Sequence, residues 1–269
     1  MIELTNNQTD LITDFTERLS EEGIRYVILR RHEYLPKGVP GTQQKDFDID
    51  LLIDPESFDQ AIEIGLDIGL SKKDRISDSL THLAYRATTD PKTAINKITD
   101  APKELATLLI KSGSESAGLE GTKNSYEWVS SNGYAFPFRA DGLPVDTKCH
   151  LAHKSPLDAS RIRLDPRVEE SMLSNRIKND SGIYIPSPED ELAHLVTHIV
   201  FEYEGTLTQY YERRITELVD IVYSDCNKQD HLELMFSYIF FDAAQFVSER
   251  TEAERVEGLF DALMRFEDY

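Results

Sequence analysis

Asp46, Asp48 and Asp50 fall at alternate positions within Lys45 to Asp54, with Phe47, Ile49 and Leu51 between them. Strict alternation reads as a β-strand, in which residues i, i+2 and i+4 share one face. Three carboxylates on one face repel each other and lose hydration unless a cation or solvent compensates them. Leu51, Leu52 and Ile53 then carry the strand toward a core. A polar strand end leading out of a buried strand suits a divalent metal that takes oxygen ligands. An exposed acidic loop is the plain alternative in a chain this acidic. An EF-hand needs Gly at its sixth position and Glu at its twelfth. Counted from Asp46 these are Leu51 and Ser57, so that motif fails. An acid-rich helix start would not show this alternation.

Other residues of chemical interest lie elsewhere in the chain. Asp146 stands early in a predicted strand, Leu143 to Leu151, where Asp146, Lys148 and His150 alternate with apolar or small neighbours. Its plain reading is a strand-end cap or an ion pair with Lys148. Arg30, Arg31 and His32 follow a second predicted strand, Ile24 to Leu29. A loop with Pro36, Gly38, Pro40 and Gly41 then leads into the acidic strand. That hairpin-like unit places Arg30 and Arg31 near Asp48 and Asp50. Each arginine could pair with those carboxylates or bind phosphate. His194 and His198, at i and i+4, have zinc spacing. No Glu follows the first His and no third ligand is evident, so packed or solvated histidines are the commoner case.

Positioning these groups requires elements. Residues 8–22 predict a helix capped by Thr9 or Asp10, with Leu11, Ile12, Phe15 and Leu19 at helical spacing. Pro55 begins another helix bearing Phe58, Ala61, Ile62 and Ile64. A strand is expected over Leu80 to Thr88, a helix over Pro102 to Lys111, and a Gly/Ser-rich loop over Ser112 to Lys123. Asn132-Gly133 between Tyr126–Val129 and Tyr134–Phe138 signals a hairpin. Residues 160–178 hold a short strand or helix. Ser187 and Pro188 open a strong helix with Leu192, Leu195, Val196, Ile199 and Val200 as its stripe. Further helices fit 210–224, 231–248 and 252–265.

With 269 residues and 40% hydrophobic content the chain can build one large domain or two modest ones. The formal charge of -20 argues against broad nucleic-acid binding, while a local basic pocket for a nucleotide stays open. Such an acid surplus also suits high salt, which screens self-repulsion. Two cysteines, Cys149 and Cys226, make neither a disulfide framework nor a four-thiolate zinc site. No stretch reads as a signal peptide or as a membrane span, and the expected compartment is the cytoplasm.

Taken together, Ile28-Leu29-Arg30, then Asp48-Ile49-Asp50-Leu51-Leu52-Ile53, then Val145-Asp146 with His150 resemble the nucleotidyltransferase superfamily of DNA polymerase beta. The chain looks most like its uncharacterised prokaryotic nucleotidyltransferase-like proteins. Ile185 to Glu191 with His194 and His198 resembles the start of their helical half. The resemblance implies an α+β fold, with a nucleotidyltransferase-like mixed sheet and helices over residues 1–155 and a mainly helical domain over 156–269. It implies transfer of a nucleoside monophosphate from a nucleoside triphosphate to a hydroxyl acceptor, which could be a small molecule, a sugar, a protein or an RNA end. Asp48 and Asp50 would hold Mg²⁺ or Mn²⁺ against the phosphates. Asp146 would ligate a second metal or act as base. The superfamily's Gly-Ser or Gly-Gly pair is absent from Leu29 to Tyr34, so phosphate binding would fall to Arg30, Arg31 and Lys45. A non-catalytic nucleotide- or partner-binding protein on the same fold is the alternative.

Overall fold

The computed structural model describes residues 2–39, 48–72, 135–154 and 161–264. Among these the fold is mixed α and β, a five-stranded sheet followed by helices. The predicted strand 80–88, helix 102–111, loop 112–123 and hairpin arm 126–129 lie outside the described residues, as do Lys45 and Asp46.

The chain opens with β1 (Ile2–Glu3) and α1 (Asn6–Glu21). Thr5 caps α1, not Thr9 or Asp10. Its hydroxyl accepts from the Gln8 N–H, and the Gln8 side chain accepts from the Thr5 N–H. That reciprocal box satisfies two helix-end donors at once. Strand β2 (Tyr26–Ile28) follows, then β3 (Gly38–Val39), which pairs with β1, and β4 (Ile49–Ile53). A 3₁₀ turn at Pro55–Ser57 leads into α2 (Phe58–Asp67) and β5 (Ser71–Lys72). Strands β6 (Ala135–Ala140) and β7 (Leu143–Lys148) form a hairpin. The sheet order is β2-β4-β7-β6-β5, with β4 and β7 parallel and the other neighbours antiparallel.

Period-two alternation gives the sheet two different faces. Tyr26, Ile28, Ile49, Leu51, Ile53 and Val145 join Ile12, Phe15 and Leu19 of α1 and Phe58, Ala61 and Ile64 of α2 in one core. Val27, Leu29 and Leu52 turn the other way, into a second core built mainly from the C-terminal helices. All five residues of β4 are buried, as expected of a strand covered on both faces.

The helical half begins after β8 (Ala152–Lys154) and β9 (Arg161–Arg163), which pair with each other. It comprises α3 (Pro166–Ser174), then β10 (Ile177–Lys178) with β11 (Tyr184–Ile185), α4 (Pro188–Glu202), α5 (Gln209–Tyr223), α6 (Cys226–Phe240), α7 (Ala244–Glu252) and α8 (Leu259–Leu263). Leu192, Leu195, Val196, Ile199 and Val200 of α4 are fully buried at its centre. The single helix expected over 231–248 is two. Phe241 takes φ 50°, a conformation that L side chains rarely adopt, and a 3₁₀ turn at Phe241–Ala243 separates α6 from α7. The helix expected over 252–265 shrinks to α8, because Glu254 and Gly258 both take positive φ.

Candidate functional site

The register of β4 against β7 builds the site. Asp50 is the direct partner of Asp146, and Asp48 precedes Asp50 by two on the same face. One ligand atom from each of the three carboxylates lies within 4.8 Å of the others. Among the described residues this is the one group of His, Cys, Asp or Glu close enough together to hold a metal ion. Asp50 is buried, while Asp48 and Asp146 are half-buried. The carboxylates border a cavity of about 220 Å³ between the sheet and α4, with His194, Thr197 and His198 on the helix side.

Asp50 is enclosed by cations. Arg30 Nε donates to its Oδ2 at 2.7 Å and Lys148 Nζ donates to its Oδ1 at 2.7 Å. Burial alone would push this carboxyl up. The charges of Arg30 and Lys148 outweigh burial and hold it far below the usual carboxylate range. Asp48 moves the other way, raised by burial and then by the charge of Asp50. Asp146 Oδ1 is a buried oxygen with no hydrogen-bond partner. A buried carboxylate oxygen left unpaired is costly, and a cation between the three acids would satisfy it.

The helical half fixes Arg30. Its Nη1 donates to Tyr211 Oη at 2.9 Å and to His198 Nε2. Guanidinium has no acceptor, so His198 must offer a lone pair at Nε2 and is neutral. Burial, then Arg30 and then His194, push His198 well below the ordinary imidazole value. His194 is pushed down to about 3 by burial, then Arg30 and Lys148. These two histidines wall the cavity as neutral rings. His198 spends Nε2 on Arg30, and among the described residues the pair reaches no third ligand of a zinc site.

Arg31 adopts φ 59°, and its backbone N–H donates to Tyr210 Oη at 3.0 Å. Its guanidinium lies 3.8 Å from Asp48 and 5.7 Å from the Tyr210 ring centre. Next to it, His32 lies 3.3 Å from Glu191, which Arg214 grips in bidentate fashion at 2.7 and 2.6 Å. The turn after β2 is therefore anchored to α4 and α5.

No family model, curated protein or solved structure matches this chain. The site is thus read from its own geometry. Asp48, Asp50, Asp146, Arg30 and Arg31 come together. Lys148 pairs across the strands with Asp50, instead of along its own strand with Asp146. His150 also borders the cavity and lies against Glu169, its Nδ1 3.1 Å from Oε2. Tyr211 carries no motif, and sequence reasoning missed it. Its position as the third residue of a capped helix gave no hint that it would reach Arg30. No helix of the described residues is long and apolar enough to cross a membrane.

Proposed function

We propose that this chain is a metal-dependent nucleotidyltransferase that moves a nucleoside monophosphate from a nucleoside triphosphate to a hydroxyl acceptor. The observation that carries this reading is the Asp48, Asp50 and Asp146 cluster on two register-matched parallel strands. The orphaned oxygen of Asp146 and the all-oxygen donor set fit a hard divalent cation such as Mg²⁺. Held there, the cation would neutralise phosphate charge and polarise the attacking and leaving oxygens. In the reaction the acceptor oxygen bonds to the α-phosphorus, the bond to pyrophosphate breaks, and Asp146 takes the hydroxyl proton. Arg30 and Arg31 keep positive charge at the phosphates. The cavity of about 220 Å³ is smaller than the roughly 300–1,000 Å³ of pockets that enclose a whole drug-sized ligand. It is sized for the polyphosphate end of a nucleotide.

Calorimetric titration of ATP, GTP, CTP and UTP with Mg²⁺, into wild type and into the Asp48→Asn/Asp50→Asn variant, tests this at low and high salt. Mg²⁺-dependent binding that disappears in the variant is expected. A wild type that binds none of the four under any condition would sink the proposal. The second reading is a nucleotide- or partner-binding protein without catalysis. It is favoured by Asp50, whose two oxygens are both already bonded to cationic side chains. Mg²⁺-dependent binding without pyrophosphate release across an acceptor screen would support it.

A further inference from the structure

Asp50 holds two cations that differ in freedom. The Arg30 side chain is 9% exposed and is fixed by Asp50, Tyr211 and His198. The Lys148 side chain is 27% exposed, borders the cavity and, among the described residues, hydrogen-bonds to Asp50 Oδ1 alone. A lysine ammonium has three donors on a flexible stem. One donor is used here, so two remain for whatever enters the cavity. Lys148 also follows Asp146 by two on one strand face, which sets its ammonium beside the carboxylate cluster.

We propose that Lys148 binds the polyphosphate of the substrate, and that it is held in reserve on Asp50 Oδ1 until a divalent cation is bound. The inference rests on the transferase reading above. Lys148 and a divalent cation compete for the same buried carboxylate, Asp50, since two like charges at close range repel strongly. Lys148 that has given up Oδ1 needs a new anion, and a phosphate oxygen in the adjoining cavity supplies one. The cation and the polyphosphate would then bind cooperatively, each freeing a group that the other uses.

The test uses the full chain, Mn²⁺ alone, and then tripolyphosphate at saturating Mn²⁺, titrated into wild type, Lys148→Met and Lys148→Arg. Lys148→Met is expected to bind Mn²⁺ severalfold tighter, because a competitor is gone. The same variant is expected to bind tripolyphosphate about tenfold more weakly, the scale of one lost charge-assisted hydrogen bond. Lys148→Arg should return both affinities toward wild type. A residue with only a structural role would not move the two affinities in opposite directions. Mn²⁺ that binds wild type and Lys148→Met equally overturns the competition and leaves the metal site standing. Unchanged tripolyphosphate affinity overturns the phosphate role. A wild type that binds no Mn²⁺ overturns this inference together with the transferase reading. Circular dichroism checks the fold, and Lys148→Gln replaces the methionine variant if that one unfolds.

Discussion

Arg30 ties the sheet to the helical half. It is buried and always charged, and its partners Asp50, His198 and Tyr211 come from both halves. Arg30→Met leaves Asp50 with Lys148 alone and strips Tyr211 and His198 of a partner. The expected loss is about 3–5 kcal/mol, read from urea unfolding, because removing one member of a buried pair exposes the other to an unrepaid desolvation cost. Adding Asp50→Asn should cost less than the sum of the two single changes. Strict additivity would show that the pair is not coupled. Part of this arrangement was legible. The carboxylates announce themselves because a period of two puts Asp48 and Asp50 on one face whatever surrounds them. The destination of Lys148 was not legible. It depends on which strand lies beside β7 and in which register, and nothing local to Lys148 encodes that.

Close contact between elements makes two further outcomes specific. Gly65 sits where α2 crosses the sheet, and a Cβ there would stand 2.6 Å from Phe138 Cζ. Phe138 is fully buried and meets Phe15 edge-on, with ring centres 5.8 Å apart, so it has little room to yield. Gly65→Ala gains about 1 kcal/mol of helix propensity. Overpacking costs about 1–3 kcal/mol and should prevail, lowering the melting temperature. A stabilised variant would show that the ring can shift. The second outcome concerns α3, α4 and α6, which meet where His231 Nε2 lies 2.9 Å from Asp190 Oδ1 and 3.0 Å from Ser171 Oγ. The bond to Asp190 raises His231 above the ordinary 6.5, against the opposing effect of burial. A raised imidazole stabilises fully below its unfolded value and loses that contribution as pH climbs through the folded one. The stability difference between wild type and His231→Gln should therefore be largest near pH 5.5 and shrink above 6.5 in urea titrations. A difference that grows with pH would mean the neutral ring is the favoured form. Element boundaries were uneven in the sequence. The Thr5-Asn6-Asn7-Gln8 box was there to read, since its spacing is local. The break at Phe241 was not, because Phe240-Phe241 contains neither Gly nor Pro to mark a turn.

The surplus charge of the whole molecule does not come from the six charged side chains named at the site. Asp48, Asp50 and Asp146 are opposed by Arg30, Arg31 and Lys148, three negative charges against three positive, so the formal -20 resides on the remaining residues. Those remaining charges repel one another, and the compact state suffers more from this than the unfolded chain. Screening length falls from about 10 Å at 0.1 M to about 3 Å at 1 M ionic strength, which separates most surface charges electrostatically. The ion pairs around Asp50 and Glu191 are buried and at contact distance, so the same salt weakens them much less. Raising NaCl from about 0.05 M to about 1 M should therefore raise the melting temperature, with most of the gain below a few tenths molar where the screening length changes fastest. KCl at matched ionic strength should act the same way, as screening does not depend on ion identity. A melting temperature that falls with salt would mean that exposed pairs such as Arg25 with Glu170, 2.7 Å apart, outweigh the global repulsion. A chain that unfolds outright in low salt would extend the argument to adaptation, since -20 is then a charge the fold tolerates only when screened.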